Sequence, residues 1–278
     1  MNSKTAKRGI ASGLLAVASI VYVSPLFIIL FNSLKSKTYI NLEPFKLPNA
    51  STWVGAENYL VGIEDYGLLS SVGWTLMITV GSVFAILIFC SMFAWFITRT
   101  KTFVSRLLYT LCVFSMVVPF QMVMFTLSKT ADTLKLNTPW GIIIVYLGFG
   151  AGLAVFMFSG FVKGIPLEIE EAATIDGCGP VRTFFRIVLP IMQPTYITVG
   201  ILQTMWIWND FLLPYLVLDQ RKYKTISMVI QMMKGSYGRV DMGAIMACLI
   251  MAVIPMIIFY LSAQKHIIEG VAAGAVKG

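Results

Sequence analysis

Apolar residues in this chain come in long unbroken runs rather than in the alternating or one-faced patterns of water-exposed elements. Charge-free windows extend over Gly9–Leu34, Tyr66–Thr98, Leu107–Ser128, Leu136–Val162, Ile187–Asn209 and Met242–Gln264. A helix needs about 20 residues to cross a hydrocarbon core of roughly 30 Å, and each window supplies them. Lipid offers the backbone no hydrogen-bond partners, and the runs are too long for barrel strands. The pattern therefore predicts an all-α membrane protein with six transmembrane helices. An even number of crossings puts both termini on one side. The first window follows Lys4, Lys7 and Arg8, as in a signal peptide. It is long for such a segment and contains no convincing small-residue cleavage site, so it is read as a retained span.

Composition agrees with the pattern. Of the 278 residues, 58% are hydrophobic and 12% charged, against a usual charged share of about a quarter in soluble domains. The formal charge of +8 arises from cations placed between apolar runs, where anionic lipid headgroups are the expected partner and nucleic acid is not. With both termini cytoplasmic, Lys and Arg number 11 inside and 10 outside, which decides nothing. The second span is more informative, because Arg99, Lys101 and Arg106 follow it while Glu57, Glu64 and Asp65 precede it. That bias places its C-terminal end in the cytoplasm.

Several classes of chemistry are disfavoured. Cys90, Cys112, Cys178 and Cys248 lie far apart, and His266 is the single histidine, so neither a disulfide framework nor a metal site is expected. No nucleophile and base stand in a recognisable arrangement, and the phosphate-cradling G-x4-G-K-[S/T] sequence is absent. The chain is not expected to be an enzyme or to hold a cofactor. Pro25, Pro119, Pro214 and Pro255 fall in or beside apolar runs and are read as kinks. Gly148, Gly150, Ala151, Gly152 and Ala154 form a small-residue surface in the fourth span, suited to close helix approach.

The longest interior polar stretch, Lys163–Gln193, reads as a helix, a turn and a second helix. Pro166 suits a first helical turn, with Glu168, Glu170 and Glu171 at the positive end of the helix dipole. Gly177 supplies a left-handed stop. The next helix begins near Pro180, with Val181, Phe184, Phe185 and Val188 expected on one face and Arg182 and Arg186 on another.

Glu171-Ala172-Ala173, three residues, Gly177, nine residues, Ile187, one residue and Leu189-Pro190 reproduce the E-A-A-x3-G-x9-I-x-L-P loop of ABC importer permeases. The Asp176-Gly177 pair, together with Trp208-Asn209-Asp210-Phe211 and Pro214, narrows the resemblance to the carbohydrate-uptake subfamily, similar to the maltose transporter's shorter permease. It covers nearly the whole chain and implies one transmembrane permease domain, residues 1–278, with a cytoplasmic coupling loop at 163–194, in the bacterial cytoplasmic membrane. The implied partners are a homologous second permease, two cytoplasmic ATPase subunits that bind ATP and Mg, and an extracytoplasmic solute-binding protein. The implied coupling residues are Glu171, Ala172, Ala173, Asp176, Gly177, Ile187, Leu189 and Pro190.

The expected cargo is a carbohydrate, an oligosaccharide foremost; a polyol or phosphorylated solute is the alternative. An ion-coupled secondary transporter would carry ionisable residues in several spans, and Asp210 is the one found. Asn209 and Asp210, with Gln121 and Gln203, are candidate contacts along a sugar path, although Trp206 and Trp208 equally mark a membrane interface there. Five cations, Arg221, Lys222, Lys224, Lys234 and Arg239, fall between spans five and six. In maltose-type permeases that loop reaches toward the binding protein, so Lys234, Tyr237 and Arg239 are candidate contacts; a merely solvated loop is the other reading.

Overall fold

The computed structural model of the protein describes residues 3–235 and 240–275. In chain order the helices are α1 Ser3–Asn32, α2 Lys37–Leu42, α3 Glu57–Glu64, α4 Leu68–Ala85, α5 Ser91–Arg99, α6 Phe103–Ser115, α7 Phe120–Thr133 and α8 Pro139–Val162. There follow α9 Leu167–Ile175, α10 Pro180–Thr183, α11 Leu189–Ile191, α12 Gln193–Asn209, α13 Leu212–Val217, α14 Ile226–Gly235 and α15 Met242–Ala275. Two π-helical turns, Ile86–Cys90 and Phe184–Val188, join α4 to α5 and α10 to α11. Among the described residues, the β-type pairing is one isolated antiparallel bridge, Lys35 with Trp53.

Four stretches are long and apolar enough to cross a membrane: Ala11–Asn32, Leu68–Arg99, Pro139–Val162 and Met242–Lys265. Two further pairs qualify together but are bent, α6 with α7 by 106° and Pro180–Ile191 with α12 by 78°. Taking each pair as one span gives the six that the apolar windows predict. The third span goes further than the kink expected at Pro119 within Leu107–Ser128. Pro119 lacks an N–H and biases the residue before it away from helical dihedrals, so α6 ends at Ser115 and α7 starts afresh after Pro119. In the fifth span, α12 itself starts at Gln193, after the bend and later than Ile187.

The chain divides into two compact units, Met1–Ser70 with Val229–Ile257 and Ser71–Met228 with Ile258–Gly278. In the first, the loop after α1 is fixed by buried side chains answering backbone carbonyls. Asn32 Nδ2 donates to Ile28 O and Pro44 O, each at 2.8 Å, and Asn58 Nδ2 donates to Ser33 O and Lys35 O at the same distance. Lys35, 1% exposed, donates to Glu43 O at 2.8 Å and lies 5.0 Å from the Phe31 ring. Burial holds its ammonium below the usual lysine range, partly offset by the Glu43 charge. Lys37 pairs with Asp241, whose other oxygen caps α15 through Ala244 N at 3.0 Å.

The second unit is organised around α8, which packs on α5, α6, the Ile86–Cys90 turn and α12. Thr138 caps it through Gly141 N, with Pro139 in the first turn. Tyr146, Ala154, Val155, Phe158 and Val162 are fully buried along it. Two of the small residues, Gly150 and Gly152, do what their size suggests, whereas Gly148 faces open space. A Cβ on Gly150 would stand 2.5 Å from Ile86 Cδ1, and one on Gly152 would stand 2.9 Å from the Cys112 carbonyl oxygen. Both neighbours approach α8 only because no side chain stands between.

Candidate functional site

The element between α8 and α12 is a helical hairpin. Pro166 occupies the N-cap of α9, one place before its predicted position. At the other end Gly177, at φ 79°, closes a Schellman motif: Cys178 N donates to Ala173 O at 2.9 Å and Gly177 N to Thr174 O at 3.0 Å. These bonds satisfy carbonyls that the helix end leaves open and reverse the chain within three residues. The second limb starts with Pro180 in its first turn, as expected.

The hairpin has an inner and an outer side. Glu170 and Ala173 are buried, whereas Glu171, Ala172, Asp176 and Gly177 are exposed; Ile187 and Leu189 are half-buried and Pro190 is exposed. The eight residues of the motif thus stand on one continuous element, most of them turned outward.

The second limb does not present the face expected of it. Thr183, Phe184 and Val188 are buried, but Val181 is 66% and Phe185 43% exposed. From Phe184 on, the π turn Phe184–Val188 holds more residues per turn than an α-helix and so shifts Phe185 off the 3.6-residue stripe. Val181 and Phe185 therefore add apolar surface to the outer side.

Three residues under the hairpin were not singled out as functional from the sequence. Glu170 Oε1 accepts from Arg99 Nε at 2.9 Å and Nη2 at 2.6 Å, and its Oε2 accepts from Trp95 Nε1 at 2.9 Å. Arg99 Nη2 also donates to Ile165 O at 2.9 Å, immediately before Pro166. Phe184, from the second limb, packs on Trp95 with ring centroids 5.5 Å apart. Both limbs thus meet on the last turns of α5. Arg99 reads in the sequence as a topological charge and Glu170 as a partner of the helix dipole. The visible signal is that Trp95 and Arg99, four apart, share a helix face.

The polar residues near the end of α12 are placed differently from one another. Asp210 Oδ2 accepts from the Tyr146 hydroxyl at 3.0 Å, and Oδ1 accepts from Leu212 N at 3.0 Å. The carboxylate thus ties α8 to the start of α13. Trp206 packs edge-on against Tyr146 at 5.5 Å. Gln203, 2% exposed, donates through Nε2 to Gly150 O at 3.2 Å, and its Oε1 is buried without a partner. Asn209 is exposed, its amide donating to Met205 O, and Gln121 is exposed on α7. Lys234 is exposed near the end of α14; Tyr237 and Arg239 lie outside the described residues.

Residues 86–272 match the family described as binding-protein-dependent transport system inner membrane component. The chain is 38% identical over 262 residues to the probable starch degradation products transport system permease protein of Thermoanaerobacterium thermosulfurigenes, covering 94% of each. It is 33% identical over 269 residues to the multiple sugar-binding transport system permease protein of Streptococcus mutans, covering 95% of each. With the melibiose/raffinose/stachyose import permease protein of Bacillus subtilis it shares 30% identity over 285 residues, 99% of each. Its backbone also matches a chain from the crystal structure of a bacterial ABC transporter involved in the import of the acidic polysaccharide alginate. That match has a TM-score of 0.76 at 20% identity and covers 95% of this chain and 98% of the other, a likeness of fold.

Proposed function

Because the chain belongs to the family of binding-protein-dependent transport system inner membrane components, we propose that it is one of two permease subunits forming the path of a carbohydrate, an oligosaccharide foremost, through a bacterial ABC importer. The carbohydrate reading is supported by the sugar systems named for its relatives in three organisms. The second permease, two ATPase subunits and an extracytoplasmic binding protein complete the assembly. ATP and Mg belong to the ATPase subunits, with no cofactor in this chain. Both termini face the cytoplasm, as does the hairpin within residues 163–194, and residues 1–278 act as one transmembrane permease domain.

The observation that carries the coupling role is the two-sidedness of the hairpin. Its exposed Glu171 and Ala172 stand beside the left-handed turn at Gly177, while Glu170 and Ala173 hold the same helix from beneath. Small side chains let the helix enter a groove, and Glu171 offers a charge to a basic group there. Glu171, Ala172, Asp176, Gly177 and Pro190 form the docking side; Ala173, Ile187 and Leu189 keep its shape. Closure of the ATPase dimer would then move the hairpin and the spans joined to it.

Along the sugar path, Gln121 and Asn209 have the exposed amides suited to hydroxyl groups, while Gln203 and Asp210 hold the path's helices in place. Lys234, with Tyr237 and Arg239, would meet the binding protein.

The test is Gly177→Val and Glu171→Lys in the complete importer. Any residue other than glycine in the left-handed region costs about 1–2 kcal/mol, and a β-branched one reshapes the turn. Each variant should insert normally yet lose ATPase association and solute uptake. Normal association and uptake in both would sink the coupling role.

A further inference from the structure

We infer that Arg99, Trp95 and Glu170 are positioning residues forming the joint through which the hairpin moves the second membrane span. This rests on the coupling role proposed above for the hairpin. A docking element acts as a lever only if its displacement is not absorbed where it meets the bundle. The covalent link to α8 is a short turn at Lys163–Pro166, which has its own internal bonds, Gly164 N to Phe161 O at 2.9 Å and Ile165 N to Val162 O at 3.1 Å. The non-covalent link to α5 runs through side chains. Both Glu170 oxygens are occupied, one by Arg99 and one by Trp95, and Arg99 also holds the carbonyl of Ile165 in that same turn. Phe184 brings the second limb onto the ring of Trp95. Turn and both limbs are therefore fastened to one short stretch of a single helix.

Burial makes the fastening stiff. The Glu170 side chain is 9% exposed and that of Arg99 21%. Separating the two would leave a carboxylate without its partner in a place water scarcely reaches, which is strongly disfavoured. A push on the exposed Glu171 side of α9 is thus delivered to α5 rather than spent opening the joint. One turn further along, the Ser91 hydroxyl bonds the Tyr196 hydroxyl of α12. Ser91, Trp95 and Arg99 recur every four residues and lie on one stripe of α5. Along that stripe, the hairpin is received at one end and the fifth span is contacted at the other.

The experiment uses the complete importer, reconstituted in vesicles with its partner permease, ATPase subunits and binding protein. Solute accumulated per ATP hydrolysed is compared for Glu170→Gln, Arg99→Lys and Trp95→Phe, alongside ATPase co-purification. All three should still assemble and hydrolyse ATP. Transport per ATP should fall at least tenfold for the first two, and by less for Trp95→Phe, which deletes one donor but keeps a ring against Phe184. Exchanging the pair, Arg99→Glu with Glu170→Arg, should recover part of the loss.

A wild-type ratio in Glu170→Gln and Arg99→Lys overturns the joint. So does a drop in assembled complex with an unchanged ratio in what assembles, since that is the mark of a structural brace. The Gly177→Val importer separates this from the parent reading. If it too keeps normal ATPase association and uptake, the coupling role fails; if it loses them while Glu170→Gln and Arg99→Lys keep a wild-type ratio, only the joint fails.

Discussion

Three glycines of α8 give the packing around the candidate path a test in which structure decides the sign. Alanine at Gly148 would meet nothing within 4 Å. With no contact to offset it, the usual gain of about 0.5–1 kcal/mol for replacing a mid-helix glycine should stand. At Gly152 the added Cβ would lie 2.7 Å from Met116 Cγ, 2.9 Å from Ser115 Oγ and 2.9 Å from Cys112 O. The last is backbone, so α6 itself must retreat. Overpacking of this kind costs about 1–3 kcal/mol, and with backbone in the way the upper part of that range applies, leaving a net loss of up to about 2.5 kcal/mol after the propensity gain. Gly150 is the intermediate case, because its closest neighbour is a side-chain carbon, Ile86 Cδ1 at 2.5 Å. Since Ile86 is fully buried, that carbon has nowhere to swing, and Gly150→Ala should destabilise too. Ile86→Val deletes the offending atom, so the pair should be markedly less destabilised than the sum of the singles. The assay is thermal unfolding of the purified protein in detergent micelles, where 1 kcal/mol corresponds to about 2–4 °C for a chain of this size class. Gly152→Ala should melt several degrees below wild type and Gly148→Ala at or slightly above it. Equal melting of those two variants, or strict additivity of Gly150→Ala with Ile86→Val, would falsify the packing argument.

Cys178, half-buried just past the hairpin turn, should react with a membrane-impermeant thiol reagent in inverted vesicles stripped of the ATPase and not in intact cells; labelling from outside would invert the topology. Lys234→Glu should reduce binding-protein-stimulated ATPase activity at low salt and lose its effect as salt rises, because charges are screened beyond about 8 Å at physiological ionic strength. Unchanged stimulation across the salt series would leave the loop as merely solvated.

What could be read from the sequence was what short-range rules govern. The apolar windows follow from bilayer thickness, and the hairpin turn follows from a glycine whose conformation other residues adopt poorly. Pro119 was visible, but whether a proline kinks a span or divides it depends on what packs on either side, and here it separates two helices by 106°. The π turn at Phe184–Val188 has no sequence signature, so the 3.6-residue period that groups Phe185 with Phe184 and Val188 misses that Phe185 is exposed while the other two are buried. Glu170 and Arg99 stand 71 positions apart, beyond any local pattern. Asp210 stands out in the sequence as an ionisable group in a span, but its bond to Tyr146, 64 positions away, is beyond any local pattern. Its bonds to Leu212 N and Tyr146 give it a structural role between α8 and α13.

The other π turn, Ile86–Cys90, bears on where α5 points. Relative to an unbroken α-helix, a π turn accommodates one surplus residue, and one residue corresponds to about 100° of rotation around the axis. Ser91, Trp95 and Arg99 all follow it, so α4 and α5 are two segments of one rod held out of phase. A surplus residue of this kind is a dislocation, absorbed within one turn without the rod breaking. The azimuth of the stripe under the hairpin is accordingly a discrete setting stored in one residue: an unbroken α-helix of the same length would turn it away by about 100°, whereas deleting one position within Ile86–Cys90 would restore the α-helix and leave the stripe facing the partners it now has.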